Sequence, residues 1–414
     1  MKVSKERLAT IGKFIGVYRE EKRGKTQNKY TLKSFCNGIC SVNTLKNIES
    51  GGLSRSNDVY VELLLKFDLK FGEFTIIDDA LHILMKTLYE AIEVFDYELI
   101  KATIIKINKL LIKVKDFVFY AELYQIMSEL YEYYINDKNF SDQEIQHFLN
   151  IFDHMERIYK DALRLLIFSK LRVSYVTNIE EYIERMEKIK VEEADHFCVR
   201  FAKLHYFLIT EKYHSMSNLL VEMETYYEST NNYVRLLDVY NFAFILYSYI
   251  DTEYIEVYIE KVKKLTKIHV LPDIKISEIY SNIASSYHNR AEYANALHYY
   301  TQSLLFYRGD LVRQGILIAD CQNRLGKVID IPYVEDEEFQ EYPLSIKLMY
   351  KYFCLAKEVP AFVRQTYIMK KLLPHLTDEV CIDIFQYELS KLVEKTNNYK
   401  MLYEFDREVR KHTS

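Results

Sequence analysis

Glycine and proline are scarce in this chain of 414 residues, which has 10 Gly and 5 Pro. Seven of the glycines (12, 16, 24, 38, 51, 52 and 72) fall in the first 72 residues, the first proline is Pro272, and residues 73 to 271 contain neither. Sandwiches, barrels and doubly wound α/β folds need a turn roughly every ten residues, and such turns lean on Gly and Pro. The scarcity therefore excludes them and points to an all-α fold of helices with short connections. Prolines and the last glycines return at 272, 309, 315, 326, 332, 343, 360 and 374. That clustering marks 307–345 as the expected break in the helical body.

Other absences narrow the function. No apolar run approaches the roughly 18 residues of a membrane span, and the start, MKVSKERLATIGK, lacks the apolar core of a signal peptide, so no membrane partner and a cytoplasmic protein are expected. The six cysteines (36, 40, 198, 321, 354 and 381) include no CxxC pair. They read as reduced thiols, since two lone ligands at Cys36 and Cys40 do not make a four-ligand zinc site. GxSxG, HExxH and Gly-rich phosphate loops are absent, which leaves an enzymatic role without support and implies no cofactor. Two Glu-x-x-His runs, Glu144 to His147 and Glu193 to His196, have the spacing of di-iron bundle ligands. The further glutamates such a site needs cannot be assigned, and a chain this rich in Glu produces the spacing by chance. The 37 tyrosines, many in pairs such as Tyr226-Tyr227, are expected to fill gaps between helices.

Charge is unevenly divided. Residues 1–66 hold 13 Lys/Arg against 6 Asp/Glu, a net of +7, which leaves −12 for the rest of a chain whose total is −5. A small basic head on a large acidic body is expected where only the head meets a polyanion, although a solvated basic surface has the same composition. The head also carries a pattern. Leu8, Ile11, Ile15 and Tyr18 recur at helical spacing, and a basic loop is expected at Lys22, Arg23, Lys25 and Lys29. Thr31 then stands as an N-cap before Leu32, Phe35 and Cys36. Ser41 can cap a second short helix whose Leu45 and Ile48 face inward and which Gly51 ends.

The run TLKSFCNGICSVNTLKNIESG, residues 31–51, resembles the phage-repressor (Cro/XRE) helix-turn-helix family, with Leu45, Ile48, Glu49 and Gly51 on its signature positions. The resemblance implies that Ser41, Asn43, Thr44, Lys46 and Asn47 face DNA, with Thr31 and Lys33 near phosphate. These residue types suit that role, since Asn and Lys read purine edges and hydroxyls bond phosphate. Leu32 and Val42 stand where the family often has glutamine, and the Lys22–Tyr30 loop reads as longer than usual.

The body repeats. Arg200-Phe201-Ala202, Asn241-Phe242-Ala243 and Asn282-Ile283-Ala284 recur at 41 residues. Tyr213, Tyr254 and Tyr293 follow loosely, with Tyr97, Phe140 and Ile179 as earlier members. Tyr280, Ile283, Ala284, Tyr287, Tyr293, Ala296, Tyr300 and Ser303 make the unit 276–306 resemble a tetratricopeptide repeat, which implies an α-solenoid with a concave groove. In each Phe-Ala or Ile-Ala pair the Ala should face the partner helix, so the residue two before it points away. Arg200, Asn241 and Asn282 are thus expected in a row, extended by Lys203, Asp238, Ser285 and Asn289, as a peptide-binding set; Asn can both donate to and accept from an extended backbone. The organisation expected is a helix-turn-helix domain at 1–70, a tetratricopeptide-like array at 71–306, and C-terminal repeats or a dimerising cap at 307–414.

This combination resembles the RRNPP family of cytoplasmic regulators, which implies transcription regulation by quorum sensing: a homodimer on an operator in double-stranded DNA, with a short signalling peptide in the groove. Two other readings use the same features, a DNA-binding regulator controlled by a protein partner and a tetratricopeptide adaptor without a DNA role.

Overall fold

The computed structural model describes residues 3–25, 28–138, 141–174, 178–250, 253–335, 339–340, 342–355, 359–376 and 378–413. The fold is all-α: helix covers 78% of the chain, and the described residues form no strand beyond an isolated bridge between Lys70 and Phe117. Two compact units divide the chain, Met1–Arg235 and Leu236–Ser414. The division falls within a helix.

In the first unit α1 (Lys5–Lys25), α2 (Leu32–Cys36), α3 (Val42–Glu49) and α4 (Asp58–Leu65) form the head. They are followed by α5 (Thr75–Glu93), α6 (Tyr97–Leu111), α7 (Val118–Asn136), α8 (Asp142–Ile151), α9 (Arg157–Ser174), α10 (Ile179–Lys188), α11 (Phe197–Ile209), α12 (Tyr213–Ser229) and the opening of α13 (Tyr233–Ile250). Neighbours in sequence pack as pairs, α5 on α6, α6 on α7 and α11 on α12, while α9 bridges α7 and α11.

The second unit holds the rest of α13, then α14 (Glu253–Ile268), α15 (Asp273–Asn289), α16 (Tyr293–Phe306), α17 (Leu311–Arg324), α18 (Leu344–Leu355), α19 (Ala361–Tyr367), α20 (Glu379–Thr396) and α21 (Lys400–Thr413). The hairpin α15–α16 is closely packed because Ala284, Ala296 and Ser303 at its seam are fully buried and small. Its Ser277 and Ser303 hydroxyls meet at 2.9 Å. Beyond α17 the chain is non-helical over residues 327–335, inside the span 307–345. Tyr352, Phe353, Phe385 and Leu389 centre the C-terminal core.

The Gly-free body still makes left-handed turns. Phe95, Glu211, Asn231 and Ala291 have φ of 57°, 55°, 55° and 60°. Each ends a helix, and each stands two residues before a tyrosine that opens the next: Tyr97, Tyr213, Tyr233 and Tyr293. The residue between donates its N–H back across the turn, as in Lys212 to Phe207 O at 2.8 Å and Glu292 to Tyr287 O at 2.9 Å. This is the Schellman geometry that glycine ordinarily supplies. Ile179 also opens a helix, Tyr254 is the second residue of α14, and Phe140 lies outside the described residues.

Glycine in the head serves packing as much as turning. Gly12 and Gly16 lie within α1 and face α3; a Cβ on Gly12 would stand 2.3 Å from the Ile48 carbonyl oxygen, so only glycine lets the two helices approach this closely. The other side of α1 is aromatic, with Phe14 fully buried and stacked on Phe119 of α7.

Candidate nucleic-acid interface and peptide groove

Helices α2 and α3 are both held by local caps. Thr31 Oγ1 accepts from Ser34 N at 3.3 Å, and Ser41 Oγ accepts from Thr44 N at 3.1 Å, each satisfying an amide that has no partner within its helix. Between them Cys40 N bonds back to Cys36 O at 3.1 Å through a turn that includes Gly38 in the left-handed region. Leu45 and Ile48 are fully buried. The opposite face of α3 exposes Asn43, Lys46 and Asn47, with Thr44 half-buried, Ser41 exposed at the cap and Lys33 exposed on α2. Asn47 donates its amide to Leu53 O at 3.3 Å and so ties down the following loop. Asn43 and Lys46 have no side-chain partner among the described residues.

Glu49 is clamped by Arg19 of α1 through Nε–Oε1 at 2.5 Å and a second nitrogen to Oε2 at 2.8 Å. Arg19 was not singled out in the sequence, because its partner lies 30 residues away on a different helix. Lys22, Arg23 and Lys25 belong to the last turns of α1, which corrects the long basic loop expected there: the helix runs four residues further than the hydrophobic spacing indicated. Lys22 Nζ lies 5.7 Å from the centre of the Phe67 ring.

The head is fixed to α5–α8 through both ends of α1. Near its start, buried Arg7 bonds Asp78 at 3.2 Å and Glu156 at 3.1 Å, with its guanidinium 3.6 Å over the Phe119 ring. Ser4 holds Glu73 through its amide at 2.6 Å and hydroxyl at 2.8 Å. Near the other end Tyr18 donates to Glu122, whose second oxygen meets His147 Nε2 at 2.7 Å, while Glu21 meets His147 Nδ1 at 3.0 Å and accepts from Asn150 at 2.9 Å. Burial on its own would depress the His147 pKa; the hydrogen bonds and charges of Glu122 and Glu21 outweigh it and push it up to about 10. His147 is therefore an imidazolium at neutral pH, clasped between two carboxylates, beside an open cleft of about 700 Å³.

That clasp accounts for one Glu-x-x-His run. Glu144 makes no hydrogen bond to His147 but completes a capping box with Ser141 at the start of α8. In the other run His196 Nδ1 bonds Asp161 at 2.7 Å and its ring stacks on Tyr89. Among the described residues no three His, Cys, Asp or Glu side chains gather as metal ligands, and the six cysteines are free thiols.

The expected peptide-binding set divides between the two units. In the first, Arg200 pairs with Glu222 of α12 and covers the Phe197 ring at 4.0 Å, and Lys203 lies 5.6 Å from the Phe207 ring centre, its pKa lowered by burial and by Arg200. In the second, Asn282 Nδ2 donates to Asn241 Oδ1 at 2.5 Å. Asp238, one turn before Asn241, binds Lys275 Nζ at 2.7 Å, and Lys275 also reaches Glu278 at 3.3 Å. Burial works to lower the Lys275 pKa, and the two carboxylates raise it overall. Ser285 bonds Ser281 O at 3.0 Å and the Tyr300 hydroxyl at 3.1 Å, and Asn289 is exposed near the end of α15. Asp238, Asn241, Lys275 and Asn282 thus form one polar stripe along α13 and α15. Lys275 escaped the sequence reading because it falls outside the 41-residue repeat positions.

No protein-family model matches the chain, and no match emerges among curated proteins or solved structures. No helix among the described residues is long and apolar enough to cross a membrane.

Proposed function

We propose that the chain is a sequence-specific DNA-binding transcriptional regulator. In this reading 1–70 is a helix-turn-helix head, 71–306 a tetratricopeptide-like array that takes a short signalling peptide, and 307–414 a C-terminal cap that joins two copies. The observation that carries it is the Ser41-capped α3, which offers Asn43 and Lys46 to solvent from a head of net charge +7 while Leu45 and Ile48 hold its other face in the core. A helix that opens with small polar residues and is buttressed from behind is suited to the major groove. The polar stripe supports the peptide side, since amides at a 41-residue spacing can follow an extended backbone. Peptide can act only by preferring one curvature of the array, because a ligand with equal affinity for two states shifts neither.

Control by a protein partner in place of a peptide is the second reading. It is favoured by the ion pair of Asp238 with Lys275, which leaves this part of the stripe occupied by its own side chains.

The test is selection of binding sites from random duplex DNA, followed by titration of the selected site over about 50 to 200 mM salt. Affinity should fall steeply with salt, Lys46→Ala should lower the logarithmic salt slope by about one, and Asn43→Ala should relax preference at one base position. Recovery of no preferred site, with salt-insensitive binding, would remove the DNA reading and leave the adaptor.

A further inference from the structure

A second cavity, of about 210 Å³, lies in the C-terminal unit where the end of α17, the turn after it, α19 and α20 meet. Its lining holds four basic side chains, Lys327, Arg364, Lys391 and Lys395, and one acid, Glu388. The glutamate is buried and already held by three donors: Tyr352 donates to Oε1 at 2.8 Å, Arg364 bonds the same oxygen, and Asn323 donates to Oε2. Arg364 therefore neutralises Glu388, and three lysines remain around the void. Lys391 is positioned by Asn323, with Nζ 2.7 Å from Oδ1. Lys327 and Lys395 make no ion pair among the described residues.

Lys391 and Lys395 are four residues apart on one helix, a like-charge spacing that costs stability, although a position near the helix C-terminus offsets part of it. The dipole does not explain Lys327, which arrives from a separate turn set by Gly326 at φ +68°, nor the half-open hollow between them. Convergence of cations from different elements on one void is what a bound anion compensates. The volume is below the roughly 300–1,000 Å³ of pockets that take drug-sized ligands, so the occupant is compact. Val328, Ile329 and Leu392 supply apolar wall.

We propose that this cavity is an anion site of phosphate size, in which Lys327, Lys391 and Lys395 surround inorganic phosphate or the phosphate group of a small phosphomonoester. Three ammonium groups match a dianion better than a single carboxylate, and their three rotatable donors each suit a tetrahedral set of oxygens.

The experiment is calorimetric and thermal-shift titration of the full chain with inorganic phosphate at constant ionic strength, for wild type, the double variant Lys327→Gln/Lys395→Gln, and Lys264→Gln, an exposed lysine of α14, as a surface-lysine control. Wild type and Lys264→Gln should show a saturable rise in melting temperature, and the double variant should bind about tenfold more weakly or worse. Both substituted lysines are exposed and part of a like-charge group, so melting without phosphate should be unchanged or slightly higher, and a folding defect is visible separately as a lower melting temperature. Phenyl phosphate distinguishes the two sources: equal binding assigns a phosphomonoester, and exclusion assigns the free ion. An equal response in the double variant, a response reproduced by sodium chloride, or acetate binding as tightly as phosphate would each overturn the assignment.

Discussion

Asn282 donates its side-chain amide to the side-chain oxygen of Asn241 at 2.5 Å, across 41 residues of sequence. The repeat period of the body is thus also a contact distance, and each amide keeps hydrogen-bonding capacity beyond this bond. If the stripe holds peptide backbone, Asn241→Ala/Asn282→Ala should weaken peptide binding tenfold or more while operator affinity stays within about twofold, each lost bond being worth about 1 kcal/mol. Parallel titrations with peptide and operator check this. Equal loss of both, or of neither, would refute the assignment.

The packing of α1 on α3 makes two glycines of one helix respond oppositely. Gly12→Ala sets a methyl against a backbone oxygen that has no rotamer to escape to, and should cost about 2 kcal/mol or more. Gly24→Ala, with nothing within 4 Å of the new methyl, should gain roughly 0.5–1 kcal/mol from helix propensity. Urea denaturation of the two variants measures both signs.

At the left-handed turns the prediction reverses. Ala291 holds φ 60° without the freedom of glycine, and a left-handed residue with a Cβ costs roughly 1–2 kcal/mol. Ala291→Gly should therefore stabilise, by about 0.5–1 kcal/mol once the greater freedom of the unfolded glycine is deducted. A lower melting temperature for this variant would show that the Ala291 methyl contributes packing that exceeds the strain.

His147 makes stability depend on pH. Its pKa in the folded chain, about 10, lies above its ordinary 6.5, so the folded state binds the proton more tightly. The contribution is complete below about pH 6.5 and is lost as pH rises towards 10. His147→Gln should remove roughly 3 kcal/mol at pH 6, since it leaves two carboxylates uncompensated, and should flatten the fall in stability between pH 6.5 and 10. Urea midpoints for both proteins at pH 6, 8 and 9.5 measure the difference.

What could be read from the sequence was mostly local. Thr31 and Ser41 were legible as caps because a cap and the amide it serves lie three residues apart. The all-α class followed from missing turn residues, and the Ala284/Ala296 seam from the resemblance of 276–306 to a tetratricopeptide repeat. Arg19–Glu49, Asp238–Lys275 and the His147 clasp were not legible, because each depends on how helices distant in sequence rotate against one another. The turns at Glu211 and Ala291 were hidden for a different reason. A left-handed residue is recognised by glycine, and here Glu and Ala adopt it under the constraint of the packed helices on either side.

The two-sided packing of α1 gives the head a mechanical character. With 21 residues the helix is about 31 Å long, held at Arg7 by α5 and near Tyr18 by α7 and α8, while its glycine side is pressed onto α3. A tilt of about 5° about Arg7 would carry the far end, about 27 Å away, through roughly 2.4 Å, most of the length of a hydrogen bond to a base edge. Because no side chain stands between Gly12 and the Ile48 carbonyl to absorb such a movement, α3 is geared to α7 rather than cushioned from it.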